Sequence, residues 1–351
     1  MKVNLQAEYI WLDGAQPTQE LRSKTRIIRR ESHELPDVSE LPSWGFDGSS
    51  TNQASGGDSD LTLQPVRVVA DPLKGGSHVL VLCEVTNADG SPHATNHRAE
   101  LRDVLERGAA AEQGWFGFEQ EYTFFTEETP LGWPKNGYPA PQGPFYCGVG
   151  ASVAFGRKVA QRHTDACLNA GLLLFGTNAE VMPGQWEFQI GYRGDQSEEI
   201  DPLICTDHLW IARWLLHRIA EEEGITVSFE NKPVKGDWNG AGMHTNFSTR
   251  SMRDRNTGRG VIEEAVMALG QRHDEHIEIY GAKLDERLTG LHETCSIKEF
   301  KHGVADRGAS IRIPRHVAEQ GFGYLEDRRP GANANPYQVS AAILKTVCKL
   351  H

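Results

Sequence analysis

The chain has 351 residues, of which 24% are charged and 38% hydrophobic, as is ordinary for a globular protein. Its formal net charge of −12 and the lack of a long basic run argue against nucleic acid or an anionic membrane as a partner. No apolar run approaches the roughly 18 residues that a membrane-spanning helix needs.

Cysteine usage and the N-terminal segment indicate a reducing compartment. The six cysteines are scattered, and no two of them form a C-x-x-C pair. Asn4, Gln6 and Glu8 interrupt the apolar character that a signal peptide would need. We therefore expect free thiols in a cytoplasmic protein, without a disulfide framework or a zinc site.

Residues 1–92 carry strand and turn patterns and no long amphipathic helix. The predicted strands lie in the segments KVNLQAEYIWL, SKTRIIRR, VRVVADP and HVLVLCEV. The polar stretch TNADGSPHATN follows and has the composition of a linker, with Asn96 positioned to cap a helix. We therefore predict a first domain of residues 1–92 and a second domain of residues 93–351.

Helical patterns alternate with strands in the second domain. The predicted helices lie in HRAELRDVLERGAAAEQG, TDHLWIARWLLHRIAEEEG and GVIEEAVMALGQRHDEHIEIYG. Gly224 is expected to end the second of these helices, because glycine adopts the left-handed conformation that follows many helices. His273 and His276 are expected on a solvated face of the third.

One predicted strand, in the segment GWFGFEQEYTFFTEE, combines aromatic residues with two acids. Glu119 and Glu121 are two positions apart, so both carboxylates point to the same face of the strand. Like charges on one face of an apolar strand repel each other and resist desolvation. This arrangement needs a source of positive charge nearby.

Three further segments present polar side chains in a similar way. In GTNAEVMPGQWEFQIG, Glu180 and Glu187 flank a Pro-Gly turn, which predicts a hairpin with two more carboxylates. In MHTNFS, His244, Asn246 and Ser248 share a strand face, and the preceding Gly240 and Gly242 let the backbone approach a ligand closely. In GYLEDRRPGAN, the side chains on one face are those of Tyr324, Glu326 and Arg328.

Together these segments supply five acids and one histidine, a set rich in oxygen ligands. Mg²⁺ and Mn²⁺ prefer such ligands, and a bound cation would cancel the repulsion between Glu119 and Glu121. The alternative is that each glutamate is solvated or paired with an arginine. The aromatic surroundings of Glu119 and Glu121 favour the metal interpretation.

Several arginines follow in DERLTGLHETCSIKEF and VADRGASIRIPR, and these are Arg287, Arg307, Arg312 and Arg315. Metal-binding carboxylates combined with inward-facing arginines suggest a polyphosphate substrate, because both kinds of group neutralise phosphate charge. Solvated surface arginines are the alternative. The sequence contains neither a Walker-type phosphate loop nor a G-x-G-x-x-G motif, so a nucleotide would be held in another way.

A loop rich in Gly, Ser and Asp, WGFDGSSTNQASGGDSDLTLQP, follows an aromatic strand end. Its Asp47 could bind a cation or receive a proton. The alternative is an ordinary flexible surface loop.

Seven of these segments resemble, in order, the signatures of glutamine synthetase, and most closely its type II form. They are FDGSST, FEQEYT, GTNAEVMPGQWEFQIG, WNGAGMHTNFS, RLTGLHET, SIRIPR and EDRRPGAN, and they extend from about Trp44 to Asn333. The resemblance implies an α+β fold with a small N-terminal β-grasp-like domain and a larger catalytic α/β domain built on a curved antiparallel sheet. It also implies a homo-oligomer of two stacked rings, typically a decamer, with active sites between neighbouring subunits.

The implied reaction joins ammonia to L-glutamate at the expense of ATP, through a γ-glutamyl phosphate intermediate. The small-molecule partners are ATP, L-glutamate and ammonium, and two or three Mg²⁺ or Mn²⁺ ions are implied per site. One metal would be held by Glu121, Glu180 and Glu187, and another by Glu119, His244 and Glu326.

The resemblance also assigns the remaining roles. The glutamate-binding residues would be Asp237, Trp238, Asn239, Gly240, Arg287 and Arg328. The ATP-binding residues would be Glu119, Glu187, Asn246, Phe247, Ser248, Arg307, Arg312 and Tyr324. The catalytic residues would be Asp47, which binds ammonium and takes its proton, Glu293 on a flap that shields the acyl phosphate, and Arg307.

Two alternatives stay open at this point. The first is a related ligase that uses a larger amine, although the intact FDGSST segment and Glu293 favour ammonium. The second is a structural relative that has lost catalysis, although no metal glutamate of the pattern is missing.

Overall fold

The computed structural model of the protein describes residues 3–195, 197–199 and 201–350. Within these residues the chain forms two β-sheets and eight α-helices, and the α+β fold expected from the sequence is confirmed. None of the helices in these ranges has both the length and the apolar character needed to cross a membrane.

The first sheet has five strands in the order β2-β1-β5-β4-β3. These strands are β1 (Val3–Leu12), β2 (Leu21–Arg30), β3 (Trp44–Asp47), β4 (Asp60–Ala70) and β5 (Val79–Thr86). β1 and β5 are parallel, whereas the other neighbouring pairs are antiparallel. Alternate residues of β1, such as Leu5, Ala7 and Tyr9, pack in a core of their own on one face of the sheet. The four strands predicted in this region are confirmed.

The second sheet has nine strands, with β12-β13-β14-β11-β6-β9-β8 as its main order and with β7 and β10 both paired to β6. They are β6 (Trp115–Thr126), β7 (Thr129–Pro130), β8 (Leu174–Ala179), β9 (Gln185–Gly191), β10 (Thr226–Ser228), β11 (Met243–Ser248), β12 (His302–Val304), β13 (Ile311–Ile313) and β14 (Leu325–Asp327). All neighbouring pairs are antiparallel except β12 with β13. β6, which carries Glu119 and Glu121, pairs with four strands, β7, β9, β10 and β11, and we call it the central strand for that reason.

The helices are α1 (His97–Glu106), α2 (Arg157–Asn169), α3 (Pro202–Glu222), α4 (Gly258–Gln271), α5 (His273–Ile279), α6 (Leu284–Arg287), α7 (Arg315–Gln320) and α8 (Pro336–Val347). Capping residues explain where α1 begins and where α3 ends. The Asn96 side chain accepts a hydrogen bond of 3.1 Å from the amide of Ala99 at the start of α1, as predicted. Gly224, at φ 65°, follows α3 in the left-handed conformation, also as predicted.

α3 positions the central strand from behind. It is the longest helix of the described chain, and most of its residues are buried, so it lies inside the molecule and not on its surface. It packs against β6, β9 and α8. The opposite face of β6 borders a cavity, which leaves room for a site.

Two predictions about the third helix were wrong. The predicted segment divides at Arg272 into α4 and α5. His273 and His276 are buried and not solvated. Nδ1 of His276 lies 2.5 Å from the hydroxyl of Tyr280, and Nδ1 of His273 lies 3.2 Å from Nη1 of Arg329. The charged residues between the two histidines gave the segment a polar composition, although positions three apart share one helix face, which here packs inward.

A buried ion network joins the first sheet to the helices. The fully buried Asp207 of α3 accepts hydrogen bonds from Arg98 (2.8 Å) and from the Tyr337 hydroxyl (2.7 Å). Arg67 of β4 lies 3.2 Å from the same carboxylate, and Arg98 also donates to Glu84 of β5 at 2.8 Å. One carboxylate therefore ties β4, α1, α3 and α8 together.

Candidate active site

Side chains alternate across β6 as its sequence predicts. Phe116, Phe118 and Tyr122 are buried in the core. Glu119 and Glu121 point to the other face, where they line a cavity of about 580 Å³. The predicted residues that line it are Glu119, Glu121, Glu180, Glu187, Asn239, Gly240, His244, Arg287, Glu293, Arg307, Arg312, Glu326 and Arg328. The structure thus brings most of the predicted set to one place.

Glu119, His244 and Glu326 form one cluster, in which each offers a ligand atom within 4.8 Å of the others. The strand pairing accounts for it, because His244 of β11 lies directly opposite Glu119 of β6. Nδ1 of His244 is 3.3 Å from Glu119 and 3.8 Å from Glu326. Burial, with the nearby charges of Arg328 and Arg287, holds the pKa of His244 well below its usual value. The imidazole is therefore neutral, which is the form that binds metals.

Glu121, Glu180 and Glu187 form a second cluster with the same 4.8 Å spread. Glu121 of β6 lies directly opposite Glu187 of β9, and Glu180 follows the end of β8. The Gly242 amide donates to Glu121 at 2.7 Å, and the Asn178 amide group donates to Glu180 at 2.9 Å. These few donors orient the carboxylates without neutralising their charge.

The second cluster is short of positive charge. Burial raises the pKa of Glu121 to about 7, although Arg287 opposes the rise. Burial and the Glu121 carboxylate raise the pKa of Glu180 to about 8. Burial and the carboxylates of Glu119 and Glu121 raise the pKa of Glu187 to about 9. Perturbation of this kind is typical of sites that bind a cation or perform chemistry.

Arginines surround the first cluster. Nη1 of Arg312 donates to Glu326 at 2.6 Å, and Arg328 donates to the other oxygen of the same carboxylate. Arg307 lines the cavity from an exposed loop. Arg315, at the start of α7, does not line it. Arg312, which lies on β13, is thus turned toward the acids.

Arg287 is buried beneath the cavity. It donates to the carbonyl oxygens of Arg328 (3.1 Å) and Arg329 (3.3 Å), and its Nη2 is 3.0 Å from Nε2 of His244. Burial lowers the pKa of Arg287 to about 10, so the guanidinium stays charged at neutral pH. It supplies fixed positive charge between the two clusters.

Gly240 and Gly242 make room for that arginine. A Cβ atom on Gly240 would lie 2.8 Å from Cγ of Arg287, and one on Gly242 would lie 2.4 Å from Nη2. The sequence predicted a close approach of the backbone to a ligand. In the structure the group that approaches both glycines is the Arg287 side chain.

The predicted nucleotide residues of β11 lie beside the cavity and do not line it. Asn246 donates to Glu119 at 2.8 Å, and Ser248 accepts from Arg253 at 2.8 Å. Phe247 is buried against Phe116, so its side chain faces the core.

Two more predicted residues lie near the edge of the site. Tyr324 is half-buried beside His316, with 5.6 Å between the ring centroids. Trp238 packs on Trp133, with 4.9 Å between the centroids. Neither lines the 580 Å³ cavity.

Asp237 lies in a neighbouring cavity of about 420 Å³. Its carboxylate is 3.0 Å from Nε2 of His292, which lines both cavities. The side chain is 97% exposed. The pair with His292 joins the loop before β11 to the segment that carries Glu293.

Glu293 belongs to a hairpin-like segment over the cavity. Thr289 and Ser296 form a bridge across it, and the Ile297 amide donates to the Leu288 carbonyl at 2.9 Å. His292 (φ 51°) and Glu293 (φ 57°) are both left-handed, a conformation that non-glycine residues rarely adopt. Strain of this kind is common in functional loops.

Asp47 is exposed at the end of β3 and does not line the cavity of its own chain. Ser49 donates to one carboxylate oxygen through its hydroxyl (2.6 Å) and its amide (3.0 Å), and the Ser50 hydroxyl donates to the other at 2.6 Å. These bonds lower the pKa of Asp47 to about 2. The carboxylate is thus held ionised and aimed outward.

The cavity also contains residues that the sequence analysis missed, namely Gln142, Gly143, Tyr146, Asn178, Val181, Gln189, His292 and Thr294. Gln142 accepts a bond of 2.6 Å from the Asn239 amide, and Gln189 donates to Glu187. Strand alternation could have found Gln189, which follows Glu187 by two positions. The loop residue Gln142 carries no comparable signal.

Both clusters fit a hard divalent cation. Each provides three ligand atoms close together, five of the six being carboxylate oxygens, and neither contains a thiol. The raised pKa values of Glu121, Glu180 and Glu187 show carboxylates that lack compensating charge. Mg²⁺ and Mn²⁺ prefer this donor chemistry.

Family models agree with the two parts of the fold. The model described as glutamine synthetase, beta-Grasp domain, matches residues 5–88. The model described as glutamine synthetase, catalytic domain, matches residues 95–261. The β-grasp prediction for the first sheet is confirmed.

Curated relatives extend the match over nearly the whole chain. A chloroplastic glutamine synthetase of Chlamydomonas reinhardtii is 55% identical, over 98% of this chain and 90% of that protein. A glutamine synthetase of Streptomyces viridochromogenes is 54% identical, over 99% of this chain and 97% of that protein.

A solved structure shares the fold at low sequence identity. A Plasmodium falciparum glutamine synthetase, determined by electron cryomicroscopy, matches with a TM-score of 0.77 and 16% identity, over 98% of this chain and 72% of that one.

The family models and the curated relatives show that the chain belongs to the glutamine synthetase family, in its type II form, whose members use ATP and Mg²⁺ or Mn²⁺ to join ammonia to L-glutamate.

Proposed function

We propose that ATP, L-glutamate and ammonium meet in the 580 Å³ cavity and that the two carboxylate clusters are its metal sites. One observation carries this assignment. Glu119 and Glu121 are two positions apart on one strand, yet each belongs to a different ligand triple on the same face. Two cation sites side by side are what a triphosphate and an incoming carboxylate require.

In this proposal Glu121, Glu180 and Glu187 would hold one divalent cation close to the transferring phosphoryl group, and Glu119, His244 and Glu326 would hold another close to the ATP phosphates. Cations bound there would supply neutralisation of the phosphate charge. The short supply of positive charge around the second cluster supports the assignment.

The arginines complete the neutralisation. Arg312 and Arg328 already contact the Glu326 carboxylate, so they lie close to where the ATP phosphates would bind. Arg307 reaches the cavity from a loop and is proposed to contact the transferred phosphoryl group. Arg287 and Arg328 are proposed to bind the glutamate carboxylate, with Asn239 and Gly240 beside it.

The remaining assignments concern the edges of the cavity. Asp237 and Trp238 are proposed to border the glutamate site. The proposed nucleotide-binding residues, besides Arg307 and Arg312, are Glu119, Glu187, Asn246, Phe247, Ser248 and Tyr324. Because the Phe247 side chain packs in the core, its contribution would come from the backbone.

The chemistry proceeds in two steps. The glutamate γ-carboxylate attacks the γ-phosphorus of ATP, which forms γ-glutamyl phosphate and releases ADP. Ammonium loses a proton to give ammonia, which attacks the acyl carbon and expels phosphate. The nitrogen then loses a second proton as the amide of glutamine forms. Glu293 and its segment are proposed to exclude water from the acyl phosphate, and Asp47 to attract ammonium and receive its proton.

The proposed assembly is a homo-oligomer of two stacked rings, a decamer, with Asp47 entering the cavity of a neighbouring subunit. The exposed position of Asp47, outside the cavity of its own chain, supports this arrangement. We place the domain boundary between residues 92 and 93, between the end of β5 and the start of α1. The six free cysteines support a cytoplasmic location.

A direct test combines metal location with turnover. Glu121→Ala should abolish glutamine formation and remove the anomalous scattering of Mn²⁺ at the second cluster. Glu128→Ala, an exposed glutamate beyond the end of β6, is the matched control and should leave both unchanged. Full activity in Glu121→Ala, or no manganese at either cluster of the unmodified protein, would overturn the assignment.

The amine is tested separately. ADP release with glutamate and Mg²⁺ should require ammonium and should not be supported by ethanolamine or a polyamine. Faster turnover with a larger amine would assign the chain to a related ligase reaction.

A further inference from the structure

A second large cavity lies on the side of the second sheet away from the active site. Its volume is about 690 Å³, and we call it the rear cavity. It is lined by the loop before β2 and the start of that strand, by α3, and by β10 with the residues after it. Cavities of this size are typical of small-molecule sites.

Arg213, at the base of the rear cavity, is buried without a counter-ion. The residue is 3% exposed. In the part of the chain that the structure describes, no carboxylate lies within 4.0 Å of its guanidinium. Burial therefore lowers the pKa of Arg213 to about 9, with no acidic neighbour to oppose it. Contacts of the guanidinium with the Trp210 and Phe229 rings offset part of the cost of burying this charge, and an anion would relieve the rest.

Most of the guanidinium is already engaged by neutral groups. Nε donates to the side-chain oxygen of Gln120 at 2.9 Å, and Nη2 donates to the carbonyls of Ala332 (3.0 Å) and Ala334 (3.1 Å). Nη1 has no acceptor among the described residues, and Arg213 lines the cavity. One nitrogen of a charged group is thus left to bind a ligand.

The walls of the rear cavity are aromatic. Trp210 and Trp214 are both largely buried, and the Arg213 guanidinium lies 4.5 Å from the centre of the Trp210 ring and 5.2 Å from that of Phe229. Flat apolar walls favour a ligand with a flat ring, because aromatic faces stack on one another.

The other charged groups of the rear cavity favour a single negative charge. Glu20 and Glu230 are exposed at its rim, where they disfavour any negative charge beyond the one that Arg213 can pair. Arg218 is paired with Glu221. Burial and the Arg213 charge lower the pKa of His217 to about 4, so this residue is neutral at pH 7.

We propose that the rear cavity binds an organic monoanion in which a carboxylate is attached to a flat aromatic ring, with the carboxylate paired to Arg213 and the ring between the aromatic walls. This site is separate from the reaction site, which lies on the opposite face of β6. It does not depend on the residue roles proposed above.

Bromine scattering tests the location directly. Crystals of the whole assembly soaked with 5-bromoindole-3-carboxylate should show an anomalous bromine peak in the rear cavity. In calorimetry the carboxylate should bind on the order of tenfold or more tighter than 5-bromoindole-3-carboxamide, which has the same shape without the charge. A peak only at crystal contacts or in the reaction site would overturn the proposal, as would equal affinity for the two compounds.

Two variants separate binding from folding. Arg213→Met should abolish binding of the bromoindole carboxylate, but it also removes bonds to Gln120 and the carbonyls. Thr226→Trp, at the exposed first residue of β10, places a bulky side chain at the rear cavity and leaves Arg213 intact. Its matched control is Thr129→Trp, at the exposed first residue of β7, which does not line the rear cavity.

Thr226→Trp should lower the affinity for the bromoindole carboxylate by tenfold or more at an unchanged melting temperature. Thr129→Trp should bind it with the affinity of the unmodified protein. Unchanged affinity in Thr226→Trp would contradict the proposal. So would a carboxylate of a neighbouring subunit paired with Arg213 in the assembled protein, because the charge would then be satisfied by the oligomer.

Discussion

Glu121 and Glu187 are direct neighbours across β6 and β9, so two carboxylates face each other at the centre of the second sheet. Directly opposed like charges destabilise a sheet. Burial raises the pKa of Glu121 to about 7, and burial with the charges of Glu119 and Glu121 raises the pKa of Glu187 to about 9. The metal-free protein must therefore hold protons that a cation would displace.

The first prediction concerns those protons. At pH 7 the metal-free site keeps protons on Glu180 and Glu187 and on part of the Glu121 population, given pKa values of about 8, 9 and 7. Binding of Mn²⁺ should release roughly two protons per active site. Calorimetry in two buffers of different ionisation enthalpy measures the number of protons released. The apparent affinity of the site for Mn²⁺ should rise between pH 6 and 9. Heats that do not depend on the buffer would contradict the prediction.

The second prediction separates stability from function in Glu187→Gln. Because the folded pKa of Glu187 is raised from 4.5 to about 9, its carboxyl favours the fold at low pH, and that benefit is lost as the pH rises through 9. The metal-free variant should therefore melt a few degrees higher than the unmodified protein at pH 9, with little difference at pH 5, while metal binding is lost.

Glu223→Gln is the control of opposite sign. Hydrogen bonds from Lys158 and Arg162 lower the pKa of Glu223, so its contribution is lost as the pH falls and not as it rises. A scan of melting temperature against pH distinguishes the two variants. A Glu187→Gln protein that is less stable than the unmodified one at pH 9 would be inconsistent with charge repulsion at this site.

The third prediction concerns the assembly. Asp47 is exposed and lies outside the cavity of its own chain, whereas Glu326 lies inside it. If Asp47 serves a neighbour, an inactive Asp47→Ala chain mixed with an inactive Glu326→Ala chain should recover partial activity after reassembly. Native mass spectrometry must show that the rings are mixed. Mixed rings without any recovered activity would favour a site built within one chain.

The fourth prediction concerns the role of Asp47. Hydroxyl and amide donors from Ser49 and Ser50 lower its pKa to about 2, so it stays ionised and attracts cations. It becomes basic enough to accept a proton only when these donors are displaced at the reaction site. Asp47→Asn should reduce glutamine formation on the order of 10²-fold, the range usual for loss of a group that assists proton transfer. ATP affinity should change little.

Hydroxylamine is the sharper probe, because it is neutral at pH 7 and already nucleophilic. The Asp47→Asn protein should lose much less activity with hydroxylamine than with ammonium. Ser50→Ala, which removes one donor to Asp47, should have a smaller effect. Equal losses with both nucleophiles would make Asp47 a structural residue of its loop.

The fifth prediction concerns the buried network around Asp207. Its side chain is fully buried and contacts Arg98, Arg67 and Tyr337. Asp207→Ala leaves two arginines without their carboxylate and should cost about 3–5 kcal/mol of unfolding free energy. Asp103→Ala, whose partner Arg107 is 3.4 Å away at the surface, should cost less than about 1 kcal/mol. Urea denaturation measures both, and equal costs would refute the structural role of Asp207.

Local patterns predicted the central strand and its two carboxylates, because alternation along a strand depends only on neighbouring residues. They did not determine which acids share a cluster. Glu119 and His244 are 125 positions apart, and only the register of β6 against β11 makes them neighbours. The grouping into two triples came from family resemblance.

Other features differ in how far local signals could have predicted them. α8 begins with the cap Asn335 and with Pro336 in the first turn, so its start could have been predicted from standard helix signals. Arg287 occupies the space beside Gly240 and Gly242. This could not have been predicted from local signals, because the arginine comes from a separate helix. The position of Asp47 relative to another subunit is likewise beyond any pattern within one chain.

Because Glu119 and Glu121 belong to separate clusters, the strand between them fixes the distance between the two clusters in the active site. Two positions along a strand span roughly 6.6 Å, and Gln120 between them is held from behind by Arg213. The separation of the two carboxylate clusters is therefore a property of the backbone, which a change of ion size does not alter. Insertion or deletion of a single residue at Gln120 would reverse the facing of every β6 residue on one side of it, so Glu119 and Glu121 would no longer share the face that carries both clusters.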